Sequence, residues 1–308
     1  MATTECEPRG HHYVPKCWLN GFTDTREKDG RLWVTDLGRQ NQWATTPVKA
    51  GRQRDFYRTS ADEPDPVAFE KLLCRLEDSV APLLKSLHEK PPTRDQLQLL
   101  LLFMAMQWVR VPAFRPFMLN LADTVTRSEV EKSLASPEAW TAMLENVGIP
   151  LSERISYDRM LEYHSKPYTL SAPTEWYVLR GLQAVQHVLP ILESRRWKPF
   201  LSSTGSFIGS DNPVVLEGPK DEMVGFKNAD IIVYPISRHL LVYGTLDPRV
   251  RISENFNNIA RINTLIMLTA DQQVFSHRPD FCWMDQNNTF QTDWRLFSKE
   301  EIVQSLSK

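Results

Sequence analysis

Apolar residues recur at the three- and four-residue spacing of a helix through the middle of the chain. One series runs from Phe69 to Leu87, and Asp65 with Pro66 ahead of it suit an N-cap and the first helical position. The pattern predicts a helix here that ends at the proline pair 91–92. Further helices are predicted over four ranges: 117–134, 136–146, 156–162 and 174–189.

The most apolar of the predicted helices follows a capping box. Thr93 and Gln96 have the spacing at which each side chain bonds the backbone N–H of the other residue. Leu97 to Val109 is then apolar almost all round, and Pro112 stands just beyond it. We therefore predict a central, buried helix that ends or bends near this proline.

Strand-like patterns lie on both sides of the helical middle. RLWVTDL (31–37) and QWATTPV (42–48) suit two strands of a hairpin. After Pro199, strand-like segments return with tight turns, interrupted by a helical pattern over 253–270. These patterns predict an α+β fold, with a largely helical middle at about 66–195 framed by β-rich N- and C-terminal parts. The two β-rich parts must meet to cover their sheet edges. We expect a flexible tail over residues 1–10 and one domain over 11–308.

Composition and charge narrow the function classes. The 308 residues are 42% hydrophobic and 24% charged, which is typical of a soluble globular protein with a sizeable core. The net charge of −2 gives no general attraction for nucleic acid, so any such contact needs a local basic patch. A DNA-binding regulator is therefore disfavoured, since no predicted helix carries a basic recognition face.

Cysteines and terminal sequence favour a cytoplasmic protein with no membrane association. The first ten residues lack the apolar core of a signal peptide, and the longest apolar run, 99–106, is too short to cross a bilayer. The cysteines lack zinc-type spacing and are expected to be reduced thiols. They are Cys6, Cys17, Cys74 and Cys282.

GHHYVPKCWLNGF (10–22) sets two histidines side by side. In a strand, His11 and His12 would point to opposite faces, whereas a turn at Gly10 would let both reach one ligand. In the functional interpretation, one ring is a general base or metal ligand and the other orients it. In the alternative, one ring packs under Tyr13 and Trp18 and the other is solvated.

Two further stretches carry candidate chemistry. In SDNPVV (210–215), Asp211 is suited to ligating a cation or positioning a water or histidine, although an Asx turn is the alternative. In QWVRVPAFR (107–115), Arg110 and Arg115 would form a fork for phosphate or carboxylate. The alternative is that Arg110 neutralises a helix C-terminus and pairs with a nearby acid.

Short motifs of several enzyme classes are missing from the sequence. It contains no GxGxxG, GxxxxGK[ST], HExxH or GxSxG pattern. Cys17 has no supporting nucleophile signature and is expected to be a buried thiol. The remaining histidines stand alone and are each expected in the core or on the surface: His88, His164, His187, His239 and His277.

HHYVPKCWLNGF resembles the opening of a mostly bacterial family, domain of unknown function 4238. DFY (55–57), the arginine-proline segment 110–115, SDNPVV and YPIS (234–237) follow in the same order as in that family. The likeness extends from His11 to about His277. It implies that five residues converge in one pocket: His11, His12, Arg110, Asp211 and Asn212.

The opening HHxVP is also similar to the first half of His-Asn-His metal-dependent nucleases. In those compact sites a second histidine follows soon downstream, whereas the next histidine here is His88, on a different predicted helix. This departure argues against the nuclease fold. Similar chemistry would still be available if Asp211 and Asn212 supplied the missing ligands.

The leading hypothesis is a metal-dependent hydrolase that cleaves a phosphodiester in nucleic acid or a nucleotide by a histidine-activated water. The predicted catalytic residues are His11, His12, Asp211 and Asn212, of which His11, His12 and Asp211 would hold Mg²⁺, Mn²⁺ or Zn²⁺. The predicted substrate-binding residues, which would stabilise the phosphate charge, are Gln107, Arg110 and Arg115.

The alternative is a non-enzymatic binding or sensor module, or an effector of bacterial conflict systems. In this interpretation His11, His12 and Asp211 form a buried hydrogen-bond network that rigidifies the fold.

Overall fold

The computed structural model describes residues 9–166, 169–203, 205–219, 222–252 and 255–306. The described parts of 1–113 and 174–308 form one compact unit, and those of 114–173 form a second. Most of the predicted tail, residues 1–8, lies outside the described residues. The predicted extent of a single domain, 11–308, stays a prediction.

The fold is α+β, with a helical middle between strands, as the sequence predicted. The middle runs from Ala68 to Glu193, one further helix lies among the C-terminal strands, and another follows them. The α-helices of the described ranges are α1 (Lys16–Leu19), α2 (Ala68–Ser86), α3 (Arg94–Arg110), α4 (Phe114–Ser133), α5 (Pro137–Asn146), α6 (Tyr157–His164), α7 (Thr174–Glu193), α8 (Phe256–Thr269) and α9 (Lys299–Leu306).

Two predicted helix starts have different outcomes. The capping box of α3 is confirmed, because Thr93 and Gln96 exchange both side-chain-to-backbone hydrogen bonds. The predicted N-cap at Asp65 is wrong. Its carboxylate accepts from the backbone N–H of Val67 at 3.3 Å and closes a turn there, so α2 begins only at Ala68.

The strands form antiparallel sheets of two or four strands. The predicted hairpin at 31–48 is confirmed, with Val34 opposite Trp43. The strands of the described ranges are β1 (Gly10–His12), β2 (Leu32–Asp36), β3 (Asn41–Thr45), β4 (Arg52–Arg54), β5 (Arg196–Leu201), β6 (Gly209–Ser210), β7 (Val215–Glu217), β8 (Ile231–Pro235), β9 (Leu240–Thr245), β10 (Gln273–Ser276), β11 (Trp283–Met284) and β12 (Phe290–Gln291).

One sheet joins the two ends of the chain. Its strand order is β3-β2-β10-β6, so β10 from the C-terminal part lies between β2 and β6. Phe275 of β10 pairs with Val34 on one side and Gly209 on the other. The two β-rich parts therefore meet, as their exposed edges required.

A second sheet has the order β5-β9-β8-β7 and presents one end to the candidate site. Tyr243 of β9 lies opposite both Lys198 of β5 and Val233 of β8. β8 and β9 are joined by a short turn, residues 236–239. This turn forms part of the cleft described below.

The predicted central helix α3 is buried along most of its length. Leu100, Phe103, Met104 and Ala105 are fully buried between α2 and α7. A second core lies around α8, where Ile259, Ile262 and Ile266 are buried together. The unit 114–173 has its own small core of Leu134, Trp140 and Leu144.

Within the described ranges, no single helix combines the length and hydropathy needed to cross a membrane. The consecutive helices α3 and α4 meet those criteria only when taken together.

Candidate functional site

The two adjacent histidines lie on β1, which pairs antiparallel with β4. Gly10 continues the strand opposite Arg54, so the two side chains point to opposite faces. His11 is fully buried, and its Nδ1 accepts the backbone N–H of Tyr57 at 3.0 Å. The rings of His11 and Tyr57 also stack nearly parallel, with centroids 6.0 Å apart. His11 thereby holds the 55–57 segment against β1.

His12 bonds to a different backbone group. Its Nε2–H donates to the carbonyl oxygen of Val48 at 3.1 Å, which places the ring proton on that nitrogen. Burial, together with the charges of Lys16, Arg110 and Arg52, lowers the pKa of His12 to about 4. The ring is therefore neutral at pH 7 and serves the contact between β1 and the segment after β3.

Arg110, at the end of α3, is buried and joins three elements. Its guanidinium forms an ion pair with Glu77 of α2 at 2.9 Å and donates to the backbone carbonyl of His12. Its own carbonyl accepts from the Tyr57 hydroxyl. His11, His12 and Arg110 therefore do converge, and the acid that pairs with the arginine is one that the sequence interpretation left open.

We call this group of contacting residues the Arg110 cluster, formed by His11, His12, Tyr57, Glu77 and Arg110. Two glutamates of α2, one within this cluster and one near it, were not predicted. Glu77 is the partner of Arg110, and Glu70 lies two turns earlier on the same helix. Burial, opposed by the charge of Arg110 and assisted by that of Glu77, raises the pKa of Glu70 to about 7. Their seven-residue spacing, which puts both on one helix face, is the signal that was available in the sequence.

The predicted substrate-binding residues belong to two compact units, with Gln107 and Arg110 on α3 and Arg115 on α4. Gln107, one turn before Arg110, donates through Nε2 to the Tyr234 hydroxyl at 2.7 Å and is fully buried. Arg115 belongs to the compact unit 114–173. The proposed fork between Arg110 and Arg115 therefore stays a prediction.

Asp211 closes the turn between α8 and β10. Its two carboxylate oxygens accept three backbone N–H groups, those of Asp271, Gln272 and Gln273, each at 2.8 Å. Burial raises its pKa to about 6, against the lowering effect of those three hydrogen bonds. The Asp211 carboxylate thus caps a turn that is distant in sequence. In the Asx-turn alternative it would have capped its own backbone.

Asn212 and Tyr13 complete the surroundings of this turn. Asn212 donates through Nδ2 to the carbonyl oxygen of Thr269, the last residue of α8, at 3.1 Å. Burial and the nearby charge of Asp211 raise the pKa of Tyr13, the residue that follows the histidine pair. The Tyr13 ring packs against that of Phe56, with centroids 6.0 Å apart.

The predicted metal ligands make backbone contacts in this arrangement. Among the described residues, no three His, Cys, Asp or Glu side chains are grouped so as to hold a metal ion. Nδ1 of His11, Nε2 of His12 and both oxygens of Asp211 bond to main-chain groups. Their catalytic and metal-binding roles stay predictions.

A cleft of about 610 Å³ opens next to the Arg110 cluster. Its walls come from the segment between α1 and β2, the end of α2, the end of β5 and the turn between β8 and β9. Its lining residues are Cys17, Asn20, Gly21, Thr25, Arg26, Glu27, Ala81, Leu84, Lys85, His88, Glu89, Leu201, Ser202, Ile236 and His239.

Gly21 allows the walls of the cleft to approach each other. A Cβ at this position would lie 2.4 Å from the carbonyl oxygen of Ile236, which is closer than real contacts allow. The Gly21 carbonyl instead accepts the backbone N–H of Arg238 at 3.0 Å. Glycine thus brings the N-terminal segment against the β8–β9 turn.

Two arginine–imidazole pairs lie at the cleft, whose lining includes Arg26, His88 and His239. Arg238 lies behind this lining, and its Nη1 donates to the carbonyl oxygens of Thr23 and Asp24 at 3.2 and 2.7 Å. Arg26 donates to Nδ1 of His88 at 3.3 Å, and Arg238 donates to Nε2 of His239 at 3.1 Å. Since guanidinium has no acceptor, each of these ring nitrogens is the unprotonated one. Arg26 also has a φ of 60°, in the left-handed region that disfavours side-chain-bearing residues. Such conformations are concentrated at functional sites.

The charged lining of the cleft is mixed, with Arg26 and Lys85 alongside Glu27 and Glu89, and the guanidinium groups lie close to neutral imidazoles. Burial and the charges of neighbouring arginines lower the pKa of both His88 and His239. Burial and the charge of Arg26 also lower the pKa of Arg238, against the raising effect of Asp24. This arrangement is suited to binding an anion.

Asn20 adds a polar group without a partner. Its Oδ1 is buried at the cleft wall and has no hydrogen bond to any described residue. A buried amide oxygen of this kind is stabilised when it accepts a proton from a ligand or water.

The sequence interpretation missed the cleft because its histidines are isolated in the chain. His88 follows α2, and His239 lies in the β8–β9 turn, each predicted to be a core or surface residue. The available signals were the charge-dense stretch TDTREKDGR (23–31) and the dipeptide Arg238-His239 directly after YPIS.

The family suggested by the sequence motifs is confirmed. The model of a family described as a protein of unknown function (DUF4238) matches residues 10–280, which spans most of the 308-residue chain. No curated protein and no solved structure matches the chain. The match contains both the Arg110 cluster and the cleft, and the chain belongs to the DUF4238 family.

Proposed function

We propose that the protein hydrolyses a phosphodiester in the cleft, with His88 and His239 as the acid–base pair and Arg26 and Arg238 as phosphate-binding groups. The observation that carries this proposal is the presence of two arginine–imidazole pairs beside one cleft. Lys85 lines the same cleft and is paired there with Glu27 at 3.2 Å. Guanidinium groups bind phosphate in bidentate fashion and stabilise charge that develops on it.

The proposed reaction has two proton transfers, one from the attacking water and one to the leaving oxygen. A neutral imidazole takes a proton from water while the water oxygen forms a bond to phosphorus. The bond to the ester oxygen breaks, and the second imidazole, as imidazolium, protonates the leaving oxygen.

The cations that hold the rings neutral also prepare them for this chemistry. Burial and neighbouring arginines keep both pKa values low in the free protein. A bound phosphate adds a negative charge, which favours the protonated form of an adjacent imidazole. When an arginine turns toward the phosphate, it releases the ring nitrogen to which it was bonded. Substrate binding thereby generates the acid.

The same reaction class was predicted for a metal site at His11, His12 and Asp211. In the cleft, guanidinium and ammonium groups supply the positive charge that Mg²⁺, Mn²⁺ or Zn²⁺ would supply at that site. Nucleotides and nucleic acid belong to the proposed substrate class as phosphodiesters. We propose the cytoplasm as the location of the activity.

The first test is turnover of bis(p-nitrophenyl) phosphate by the full chain, with and without EDTA. In H88N the new amide oxygen replaces Nδ1, and in H239Q it replaces Nε2, so each arginine keeps its acceptor while proton transfer is lost. We expect each variant to lower kcat by about 10²-fold or more with little change in KM. R26A is expected to raise KM instead.

The matched control is H187Q, since His187 is an exposed residue of α7 outside the cleft lining. Wild-type kinetics in H88N and H239Q would overturn the proposed acid–base pair. Activity that requires added metal and disappears in D211N would move the reaction to the predicted metal site.

A non-enzymatic binding or sensor module is the second candidate. It is favoured by the backbone contacts of His11, His12 and Asp211, which are those of a structural network. Phosphate binding in the cleft without turnover of any phosphodiester would select this candidate.

A further inference from the structure

A second cavity, of about 330 Å³, adjoins the cleft. The two share His88, Glu89 and Leu201 as lining residues, so they adjoin at these three side chains. We call this second cavity the apolar chamber.

The walls of the apolar chamber are mostly hydrocarbon and indole surfaces, and the charged residues Glu89 and Lys90 lie at its lining together with His88. Proline, leucine and valine side chains from the α2–α3 connection, α3 and the second sheet surround it. The wall residues that carry this argument are Pro91, Pro92, Leu97, Leu100, Trp197 and Val242.

Two polar groups of the lining are bonded elsewhere. The Trp197 indole N–H donates to the carbonyl oxygen of Leu192 at 2.7 Å. The Lys198 ammonium donates to the carbonyl oxygens of Pro248 and Val250 at 3.2 and 3.1 Å. A nucleobase edge placed here would lose its hydrogen bonds to water, and neither the Trp197 N–H nor the Lys198 ammonium would replace them.

Gly244 sets the position of the indole ring. A Cβ on this residue of β9 would lie 2.8 Å from ring atoms of Trp197, so only glycine lets the ring lie this close to the strand. The apolar chamber therefore has a flat indole wall held by both a hydrogen bond and close packing.

We propose that the apolar chamber takes a hydrocarbon arm of the ester whose phosphate lies in the cleft. The substrate class is then an amphiphilic phosphate ester, with a charged head beside the arginines and an alkyl chain beside Trp197 and Leu97. This inference rests on the proposed function. Its physical basis is the gain from removing apolar surface from water in a preformed cavity.

The experiment measures the affinity of the full chain for inorganic phosphate and for methyl, butyl and octyl phosphate by calorimetry, with AMP for comparison. We expect affinity to rise by about fourfold per methylene until the apolar chamber is filled, and we expect AMP to bind more weakly than octyl phosphate.

The chamber variant is L97E. Leu97 is half-buried in the first turn of α3, where a carboxylate suits the helix N-terminus, so the melting temperature is expected to stay close to that of the wild type. The added charge should abolish the dependence of affinity on chain length. L72E is the matched control, because Leu72 is 43% exposed on α2 and lines neither cavity.

The outcomes separate the two proposals. Phosphate binding without any gain from the alkyl chain would overturn the hydrocarbon arm and leave the phosphate site in place. A gain from the chain that persists in L97E, or tighter binding of AMP than of octyl phosphate, would also overturn it. Failure of all these ligands to bind would overturn the phosphate site itself.

Discussion

At the scale of single residues, a hydrogen bond to the backbone determines which nitrogen of a buried, neutral imidazole carries the proton. His12 is buried, and its one hydrogen bond to Val48 uses the proton on Nε2. A ring that is held neutral in the fold and free to take a proton in the unfolded chain links stability to pH.

We predict that His12 makes the protein acid-sensitive. Its pKa falls from 6.5 to about 4 on folding because of burial and neighbouring cations, so between these values the unfolded chain binds more protons than the folded one. The free energy of unfolding therefore rises as pH increases across this window and falls as pH decreases through it. For this residue the change is about 3 kcal/mol at most. Urea unfolding at pH 7.5 and pH 4.5 measures the difference.

The H12Q variant isolates this contribution, since its amide can donate to Val48 but does not titrate. Its loss of stability between the two pH values should be smaller than that of the wild type. H187Q, at an exposed site on α7, should behave as the wild type does. An unchanged pH dependence in H12Q would contradict the assignment.

At the scale of elements, the Asp211 carboxylate connects β6 to the turn between α8 and β10. Three backbone N–H groups depend on its two oxygens. Backbone donors that are buried without an acceptor are costly, which gives this acid a structural role whether or not it also has a chemical one.

We predict that D211N destabilises the fold by about 1–3 kcal/mol. The amide keeps one acceptor oxygen and turns an N–H₂ group toward backbone donors, so at least one hydrogen bond is lost. Chemical unfolding measures the effect. D271N is the matched control, because Asp271 is an exposed neighbour in the same turn. Wild-type stability in D211N together with lost phosphodiesterase activity would instead favour the predicted catalytic role.

For the whole molecule, periodicity predicted much of the architecture, while the candidate site depended on contacts that periodicity does not contain. Helices such as α3 were predictable because their apolar spacing and caps are local. The hairpin of β2 and β3 was predictable for the same reason.

The cleft was not predictable in this way. His88 and His239 are 151 residues apart in number (239 − 88) and line the same cleft, where Gly21 lets a third segment pack against the β8–β9 turn. The pair His11-His12 drew attention because its members are adjacent, yet adjacency in a strand separates two side chains. Asp211 bonds to a turn at 271–273 that lies about 60 residues further along the chain, and local periodicity contains no signal for this contact. Its predicted place beside these histidines stays a prediction.

The position of β10 gives a last prediction, for cooperativity. Because β10 lies between β2 and β6, the N-terminal hairpin cannot open without exposing the edge of the strand that holds the C-terminal part. Amide protons of β2 and β10 should therefore exchange only by global unfolding, with the same free energy. The unit 114–173 has a core of three buried apolar residues and should exchange its amides at a lower free energy. Native-state hydrogen exchange across a urea series measures both. Exchange of β2 at a lower free energy than β10 would show that the two ends of the chain fold independently.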